Sequence, residues 1–381
     1  MNDSRPVRVV HLIAPVAFGG GEALLTDLLT AERDDLSESV VTVGLAPMLA
    51  DGLAAAGVRC EAIGRRTVGA ERAGQRTEAM HAVGLVRPLR RLLRRERPHV
   101  VHAHGFPPSF LAAVAPPAGT RRVYTHHYER RPPGLLETRA LTALFNRYDA
   151  LTTPADHLTA AMNRHFPGLR HQFATVRIGL GDRFYEGRPH HRWTNLFPPD
   201  TAIGVCVGRL VATKNQALVV RALAALNDDE RRGIGIVLVG DGPQREELES
   251  LVAASHLEAQ VHFAGHVPRK EVPDLLASAD FGLFPSTTEA SSVAAAEALA
   301  AGLPVLCLDI PSMVETVGPA GMFSTSEQFA VDLVRMARTH ASLRDAARQR
   351  GEDARVGVVR SAWAALYLDV TRQEAGARPA R

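Results

Sequence analysis

Short apolar runs alternate with amphipathic, helix-like segments along the 381-residue chain. The runs occupy residues 7–14, 39–45, 58–63, 99–104, 121–126, 149–154 and 174–179, and then 202–208, 234–240, 261–265, 280–286 and 304–309. Near-continuous apolar strands separated by helices are typical of parallel sheets that are covered on both faces. Because this alternation occurs twice, the sequence predicts an α/β fold of two doubly wound, Rossmann-like domains that face a cleft.

Breaks in this pattern predict the domain boundaries. We expect residues 1–185 to form an N-terminal domain and residues 201–355 a C-terminal domain. The proline-rich stretch 186–200 between them is predicted to be a linker. Apolar residues at helical spacing in 356–372 predict a last helix that packs back on the body, and 373–381 is predicted to be a disordered tail.

Composition and charge narrow the class of protein. Hydrophobic residues make up 46% of the chain and the formal net charge is only +3, so a globular protein without a nucleic-acid partner is expected. Three widely spaced cysteines, with no C-x-x-C pair, predict neither a zinc site nor a disulfide framework. No run approaches the about 18 apolar residues of a membrane-spanning helix, so we expect a cytoplasmic location. The pattern indicates no particular oligomeric state.

The stretch Arg87–Arg97 belongs to a segment with two contrasting helical faces. The apolar face carries Leu85, Val86, Leu89, Leu92 and Leu93, and arginines occupy the other. This helix could cover the sheet of the N-terminal domain and leave its arginines in solvent. It could instead lie on an anionic membrane surface, with the protein peripheral at the inner membrane face. The first interpretation is favoured, because the predicted sheet needs a cover.

Ligands of open parallel sheets bind beyond the carboxyl ends of the strands, so the residues just after each strand are the candidates for a site. Gly20 and Gly21 follow the first strand, where backbone N–H groups could meet an anion, but a tight turn would use the same residues. Arg209 and Lys214 follow the first strand of the second domain. Two fixed cations suit a diphosphate, although a solvated surface pair is the simpler interpretation of these two residues alone.

The segment “TEASSVAAAEALAAGLP” at 288–304 follows a later strand of the second domain. Its two glutamates, Glu289 and Glu297, are separated only by small residues and one valine. Ser291 or Ser292 can cap the helix that follows, whose first N–H groups and positive dipole end are then available to an anion. The alternative is a capped, alanine-rich core helix with two incidental glutamates.

Other strand ends carry weaker candidates. Gly240 and Gly242 flank a turn that a binding loop and a purely structural loop would both use. His126 and His127 end one strand of the first domain and His104 ends another; imidazoles there could contact hydroxyl groups, although structural roles are more common. The sequence contains no D-x-D, no H-E-x-x-H and no His/Cys cluster, so no metal site is expected.

Taken in order, several of these segments resemble one enzyme family. They are “GGGE” at 19–22, “RPHVVHAH” at 97–104, “THH” at 125–127, “GRLVATKN” at 208–215, “VGDGP” at 239–243, “VHFAGHV” at 261–267 and the Glu-x7-Glu segment that closes in “EALAAGLPV” at 297–305. The set resembles the retaining GT-B glycosyltransferases of family 4 over most of the chain. The resemblance implies a GT-B fold with an N-terminal acceptor-side domain and a C-terminal nucleotide-sugar donor domain.

The resemblance also implies roles for single residues. Arg209 and Lys214 match the family's diphosphate-binding cations. Glu297 matches the glutamate that holds the ribose, Glu289 the one that contacts the transferred sugar, and His127 the histidine beside that sugar. The implied catalytic residues are Glu289, His127, Arg209 and Lys214. The implied donor-binding residues are Gly20, Gly21, Arg209, Lys214, Gly240, Gly242, His266, Val267, Glu289, Ala290, Ser291, Ser292, Val293 and Glu297. On the acceptor side the candidates are His104, His126, Tyr128 and Arg130.

The function implied by the resemblance is transfer of a hexose, with retention of configuration, from a nucleotide-diphosphate sugar to a hydroxyl of a glycan, a lipid or a small natural product. UDP and GDP sugars are the expected donors, and no cofactor or metal is expected. Two alternatives stay open: a non-catalytic nucleotide-sugar-binding paralogue or partner subunit, and a GT-B nucleotide-sugar epimerase. Many family members carry Gly or Ser, an aromatic residue and Gly where this chain reads Ala290-Ser291-Ser292. This departure leaves the donor sugar open.

Overall fold

A computed structural model describes residues 6–14, 20–31, 35–64, 75–129 and 131–372. The chain divides into two compact units, which are Met1–Gly179 together with Val356–Arg381, and Leu180–Arg355. The predicted tail at 373–381 lies outside the described residues. Each unit is built on one parallel sheet with helices, which confirms the predicted α/β class.

The first unit is a doubly wound parallel α/β unit. Its strands are β1 (Val7–Ile13), β2 (Leu36–Val43), β3 (Arg59–Ile63), β4 (Val100–His104), β5 (Arg121–Thr125), β6 (Ala150–Thr153) and β7 (Phe173–Thr175). Its helices are α1 (Gly20–Thr30), α2 (Pro47–Ala55), α3 (Gln75–Glu96), α4 (Pro108–Val114), α5 (Leu135–Phe145), α6 (Asp156–His165) and, from the end of the chain, α15 (Val356–Arg372). The sheet order is β3-β2-β1-β4-β5-β6-β7, so β1 and β4 are central neighbours.

The second unit repeats this plan with fewer strands. Its strands are β8 (Ala202–Val207), β9 (Ile234–Val239), β10 (Val261–Gly265), β11 (Phe281–Phe284), β12 (Val305–Leu308) and β13 (Gly321–Ser324). Its helices are α7 (His191–Thr194), α8 (Gln216–Ala224), α9 (Asp228–Arg232), α10 (Arg245–Ala254), α11 (Val272–Ala277), α12 (Val293–Ala300), α13 (Pro311–Val317) and α14 (Phe329–Glu352). The order β10-β9-β8-β11-β12-β13 makes β8 and β11 neighbours.

Strand burial explains why the apolar runs marked the strands. All six residues of β9 are buried, as expected for a strand covered on both faces of a parallel sheet. Each of the twelve predicted runs overlaps a strand of the structure, although β2 and β7 begin before their runs at Leu36 and Phe173. One strand of the structure, β13, lies outside all of the predicted runs. Its four residues, “GMFS”, pair only with β12 at the edge of the sheet and are mostly half-buried, so they leave a weak apolar pattern.

The stretch 186–200 differs from the linker that was predicted there. It belongs to the second unit, which begins at Leu180. Trp193 is 4% exposed, the backbone N–H of Arg188 donates to the Asp274 carboxylate at 2.9 Å, and that of His190 donates to Ser278 Oγ at 2.9 Å. This proline-rich stretch is therefore packed and hydrogen-bonded on the second unit.

Helix α15 returns to the first unit at the end of the chain. Its apolar face carries Val356, Val359, Trp363, Ala364, Tyr367 and Val370, all buried. These side chains form one core cluster with Val9, Val100 and Val123 on β1, β4 and β5. Deleting such a helix would expose the sheet face that it covers.

Helix α3 has its apolar face in the core of the first unit. Leu89, Leu92 and Leu93 are buried, and Leu85 and Val86 pack against the same cluster. The arginines on its other face are exposed, and two of them are engaged locally: Arg90 donates to two carbonyls at the end of α4 and just after it, and Arg95 pairs with Glu61. The apolar face is therefore occupied within the protein. Among the described residues, no helix combines the length and apolar character needed to cross a membrane.

Candidate active site

The loop after β8 presents the two cations singled out in the sequence. Gly208 directly follows the strand, Arg209 is exposed, and Leu210 is fully buried beneath the loop. Arg209 has no ion-pair partner among the described residues. Lys214 closes a short 3₁₀ turn, and Asn215 follows in the left-handed conformation (φ 53°), which asparagine adopts more readily than most residues. Asn215, which was not among the predicted site residues, thus turns the chain from Lys214 into α8.

Lys214 and Glu289 form an ion pair between the ends of neighbouring strands. The Lys214 ammonium contacts Glu289 Oε1, and Ser286 Oγ donates to the same oxygen at 2.9 Å. The lysine side chain is 28% exposed and the glutamate side chain 12%. Both groups therefore remain partly open to solvent while the pair fixes their positions. The structure brings together two residues that are 75 positions apart in the chain.

Backbone and side-chain hydrogen bonds tie the β8–α8 loop to the β11–α12 loop. The N–H of Thr287 donates to the carbonyl of Thr213 at 2.9 Å. Asn215 Nδ2 donates to the carbonyl of Pro285 at 3.3 Å. Because these bonds flank the Lys214–Glu289 contact on both sides, the pair is held by the backbone of two loops rather than by flexible side chains alone.

The start of α12 has the cap that the sequence suggested. Ser292, rather than Ser291, is the N-cap residue, and its Oγ accepts from the N–H of Ala295 at 3.4 Å. The helix then begins at Val293. A capped helix retains unpaired N–H groups in its first turn, so this terminus can contribute a positive partial charge.

Glu297 lies on the buried face of α12 and is only 3% exposed. Its Oε1 accepts from Arg269 Nη1 at 2.7 Å, and the Arg269 guanidinium lies 5.0 Å from the centroid of the Phe184 ring. A buried carboxylate needs such a partner, because an isolated buried charge is costly. Arg269 was not recognised in the sequence, since it is one of many arginines in the chain and lies 28 residues away from Glu297.

Gly240 and Gly242 are required by close approach of two backbones. A Cβ at Gly240 would lie 2.1 Å from the carbonyl oxygen of Gly208, and one at Gly242 would lie 2.4 Å from that of Leu210. Gly240 also has a φ of 124°, which side-chain-bearing residues rarely adopt. These glycines let the β9 loop pack directly under the loop that carries Arg209. This packing gives them a structural reason that is independent of any ligand.

The loop after β10 contributes His266 and Val267. His266 is exposed and Val267 is 7% exposed. The carbonyl of Gly265, the last residue of β10, accepts from the N–H of Gly240 at 2.8 Å. The ends of β8, β9 and β10 are thereby joined in sequence across the sheet edge.

The first unit holds the remaining predicted residues. Gly20 and Gly21 are the first two residues of α1, so their backbone begins a helix as the sequence suggested. His126 is 2% exposed and its Nδ1 lies 2.9 Å from Tyr124 Oη, which makes it a core residue rather than a surface group. Tyr128 is exposed, and its Oη accepts from the N–H of Phe106 at 2.8 Å. Arg130 lies outside the described residues.

His127 and His104 belong to a row of histidines that crosses three adjacent strands. His127 Nε2 lies 3.1 Å from His104 Nδ1, and His104 Nε2 lies 3.0 Å from His11 Nδ1. His11 Nε2 lies 3.0 Å from Glu38 Oε1, and the other oxygen of Glu38 contacts Arg360. His11, Glu38 and Arg360 were not among the predicted site residues, because they lie in two strands and a helix and belong to no motif.

Two histidines of this row, together with His102 on β4, are close enough to raise the question of a metal site. One ring nitrogen each from His11, His102 and His104 lies within 4.8 Å of the others, a cluster that the sequence did not show. The ring nitrogens are already engaged, however: His102 Nδ1 lies 2.7 Å from Tyr367 Oη and its Nε2 2.7 Å from Thr125 Oγ1. Burial lowers the pKa of His102 and of His104, with smaller contributions from the neighbouring histidines. His102 and His104 are therefore neutral rings, and every ring nitrogen of the cluster is engaged in a hydrogen-bonded network.

Comparison with solved structures defines the class of fold. The structure of Anabaena HepE in complex with UDP and glucose superposes with a TM-score of 0.76 at 18% identity, covering 95% of this chain and 100% of that one. A glycosyltransferase from Rickettsia africae superposes with a TM-score of 0.81 at 12% identity, covering 97% and 100%. These likenesses show the GT-B fold.

Two family models then define the family. The model of Glycosyltransferase Family 4 matches residues 40–176, within the first unit, and that of Glycosyl transferases group 1 matches residues 187–352, within the second. The chain belongs to the family 4 glycosyltransferases of GT-B fold, which confirms the resemblance found in the sequence.

Curated relatives match over parts of the chain. The 2-deoxystreptamine glucosyltransferase of Streptomyces kanamyceticus is 37% identical over 112 residues, which are 29% of each protein. The GPI3 subunit of the phosphatidylinositol N-acetylglucosaminyltransferase of Saccharomyces cerevisiae is 25% identical over 265 residues, 65% of this chain and 56% of that protein. The chain thus matches 29% and 56% of the lengths of these two relatives.

Proposed function

We propose that the chain transfers a hexose from a nucleotide-diphosphate sugar to a hydroxyl acceptor, with retention of configuration and without a metal ion. The observation that carries the proposal is the Lys214–Glu289 pair, fixed between the ends of β8 and β11, with exposed Arg209 in the same loop as Lys214. Carboxyl ends of parallel strands are where such folds bind ligands. Family membership supplies the diphosphate as the anion that this cationic edge would hold.

The chemistry of the proposed step places charge where these residues lie. The bond between the anomeric carbon and the diphosphate oxygen breaks, and its electron pair stays on the diphosphate. Lys214, Arg209 and the N-terminus of α12 would stabilise that growing negative charge. The acceptor oxygen bonds to the same face of the anomeric carbon, and its proton passes to the departing phosphate. This balance of charge and protons requires no metal ion and no protein base.

The two glutamates are assigned to binding rather than to acid or nucleophile roles. Glu289 shares its Oε1 between Lys214 and Ser286, and Glu297 is bonded to Arg269. Carboxylates held in this way are suited to accept hydrogen bonds from hydroxyl groups. We assign Glu289 to hydroxyls of the transferred sugar and Glu297 to the ribose. His127, Gly20, Gly21, His266, Val267 and residues 290–293 complete the proposed donor contacts.

We expect UDP and a UDP-sugar to raise the melting temperature more than GDP, ADP or dTDP and their sugars. The expectation that UDP is favoured rests on the UDP bound in the structure of Anabaena HepE. A ligand present at about 100 times its Kd stabilises the folded state by about 2.7 kcal/mol, which corresponds to a shift of about 5–10 °C for a domain of this size. A thermal-shift panel measures it. Equal curves for every nucleotide would contradict the proposed donor site.

Product analysis separates the proposed transferase from its two alternatives. With the preferred donor, an acceptor panel of glycans, lipid-linked saccharides and aminocyclitols should yield a glycoside with the donor's anomeric configuration. The aminocyclitols are included because a relative is named for 2-deoxystreptamine. Conversion of the donor without any acceptor would identify an epimerase. Binding without turnover across the whole panel would identify a non-catalytic paralogue or a partner subunit.

Helix α3 is expected to contribute nothing to membrane attachment, because its apolar face is buried in the first unit. The double variant Arg91→Gln/Arg94→Gln should sediment with anionic vesicles to the same extent as wild type. The matched control is Arg139→Gln/Arg147→Gln, which removes two exposed arginines elsewhere in the same unit. Attraction to anionic lipid is worth about 1 kcal/mol per arginine near the surface, so selective loss of tenfold or more in the α3 variant would show peripheral attachment.

A further inference from the structure

A continuous row of hydrogen-bonded side chains leads from a buried ion pair to an exposed histidine in the first unit. The row runs from Arg360 through Glu38, His11 and His104 to His127. Its inner end is fully enclosed: the Arg360 and Glu38 side chains are each 5% exposed and that of His11 is 0% exposed. Its outer end is open, since His127 is exposed at the end of β5. The row therefore connects the interior with the surface.

The charge state of Glu38 determines which atom donates and which accepts in each hydrogen bond of this row. Burial alone would raise the pKa of Glu38, but the hydrogen bond with His11 and the ion pair with Arg360 outweigh it and lower the pKa. Glu38 is therefore a carboxylate, which can only accept hydrogen bonds. The His11 nitrogen that faces it, Nε2, must carry a proton. With this one proton His11 leaves the charge of the buried Glu38–Arg360 ion pair balanced, and its Nδ1 is then a hydrogen-bond acceptor.

The proton on each outer ring is determined by its inner neighbour. Since His11 Nδ1 accepts, His104 Nε2 must donate to it, and the neutral His104 then has an acceptor at Nδ1. His127 Nε2 must in turn donate to His104 Nδ1. This leaves Nδ1 of His127 as an acceptor, and among the described residues no group donates to it. Each ring in the row carries its proton on Nε2.

We propose that Glu38, His11 and His104 are positioning residues that fix His127 in the Nε2–H tautomer and present its Nδ1 as a hydrogen-bond acceptor for a substrate hydroxyl. The proposal rests on the proposed function only for the identity of that hydroxyl, which belongs to the sugar nucleotide or the acceptor. The tautomer itself follows from the geometry of the first unit. Glu38 and His11 belong to no sequence motif, so their effect on His127 becomes visible only in the structure.

A neighbouring histidine is fixed by different groups and provides an internal reference. Thr152 Oγ1 donates to the carbonyl of Tyr124 at 3.1 Å, so it accepts from Thr125 Oγ1 at 2.7 Å. Thr125 Oγ1 then accepts from His102 Nε2, and His102 Nδ1 accepts from Tyr367 Oη. His102 is therefore also an Nε2–H tautomer, but nothing in this second set depends on Glu38.

The variant Glu38→Gln is expected to reverse the whole row. Arg360 can only donate, so the carboxamide must turn its oxygen to Arg360 and its NH2 group to His11. His11 Nε2 then accepts, His11 Nδ1 donates, and the reversal continues through His104 to His127. Nitrogen NMR of protein labelled with ¹⁵N in its histidine rings distinguishes protonated from unprotonated ring nitrogens. Signals are assigned by their loss in single histidine variants. Wild type should show Nε2–H at His11, His104 and His127, and Glu38→Gln should show Nδ1–H at all three.

Two controls separate this effect from a general disturbance. His102 should keep its Nε2–H tautomer in Glu38→Gln, and so should His99, whose Nδ1 accepts from the N–H of Arg8 at 3.0 Å. Glu61→Gln, which removes an exposed carboxylate paired with Arg95, should leave every tautomer unchanged. The wild-type spectrum is decisive even if Glu38→Gln does not fold. Nδ1–H, a doubly protonated ring or a mixture at His127 would overturn the proposal.

Kinetics tests the functional half separately. Glu38→Gln should lower kcat/KM about threefold to tenfold, the range expected for loss of one neutral hydrogen bond, with no change in the thermal shift produced by the nucleotide alone. Reversed tautomers with unchanged kinetics would refute the role of His127 toward a substrate hydroxyl. If the nucleotide does not raise the melting temperature of wild type, the proposed donor site is refuted, whereas the tautomer assignment is unaffected.

Discussion

Lys214→Ala is expected to lower kcat/KM for the nucleotide sugar by about a hundredfold to a thousandfold, the loss seen when one preorganised charge-stabilising group is removed from an active site. The substitution removes the ammonium group that the structure fixes at the end of β8. It also leaves Glu289 without its cation, so a carboxylate would face the diphosphate. Both effects oppose the departure of an anionic leaving group. We therefore expect kcat to fall together with donor affinity.

The chain offers a matched control for this variant. It contains two lysines, and the second, Lys270, lies exposed in a 3₁₀ turn before α11. Lys270→Ala should keep wild-type kinetics. Reductive ¹³C-methylation labels both lysines, and the Lys214 signal should shift on addition of UDP while the Lys270 signal stays in place. Wild-type kinetics in Lys214→Ala, or a UDP-insensitive Lys214 signal, would remove Lys214 from the donor site.

The stability of Lys214→Ala should change little. The two side chains are 28% and 12% exposed, and partly solvated ion pairs contribute about 1 kcal/mol or less once solvent screening is included. The loops on either side keep their own hydrogen bonds, from Thr287 to Thr213 and from Asn215 to Pro285. A large loss of activity without a large loss of melting temperature would therefore be a local effect on the site.

The fold could be predicted from the sequence because parallel strands that are buried on both faces consist of nearly continuous apolar residues. β9 is buried throughout and was predicted residue for residue within its run. The apolar pattern does not mark a strand that is only partly buried, and a proline-rich composition occurs both in linkers and in segments that pack on a domain. β13 is short and lies at a sheet edge, and the proline-rich segment around Trp193 packs on its own unit although its composition resembles that of a linker.

The site was predictable as a set of residues but not as a set of contacts. Lys214 and Glu289 each follow a strand, and only the sheet order, with β11 beside β8, brings them together. Arg269 is hidden among the many arginines of the chain, and nothing local marks it as the partner of Glu297. Likewise His11 lies in an apolar strand. Its importance arises only from β4, whose His104 reaches it across the sheet.

Glu297→Ala is expected to destabilise the second unit by about 3–5 kcal/mol, because it leaves the half-buried Arg269 without the carboxylate that accepts its Nη1–H. For a unit of this size, about 2–4 °C of melting temperature is lost per kcal/mol. Thermal unfolding should show this loss directly. The alanine variant alone cannot separate a structural effect from a ribose contact.

Glu297→Gln makes that separation. The carboxamide keeps the size of the side chain and an oxygen for Arg269, so we expect a smaller loss of stability than in Glu297→Ala. A ribose hydroxyl would lose a charged acceptor, and hydrogen bonds to charged groups are worth about 1.5–3 kcal/mol, so UDP affinity should fall about tenfold to a hundredfold. Isothermal titration at a temperature where the variant is folded measures this. Glu271→Gln, which loosens only the exposed pair with Arg192, should bind UDP as wild type does. If Glu297→Gln also binds UDP with wild-type affinity, Glu297 serves only to hold Arg269, and the ribose must be bound by other groups.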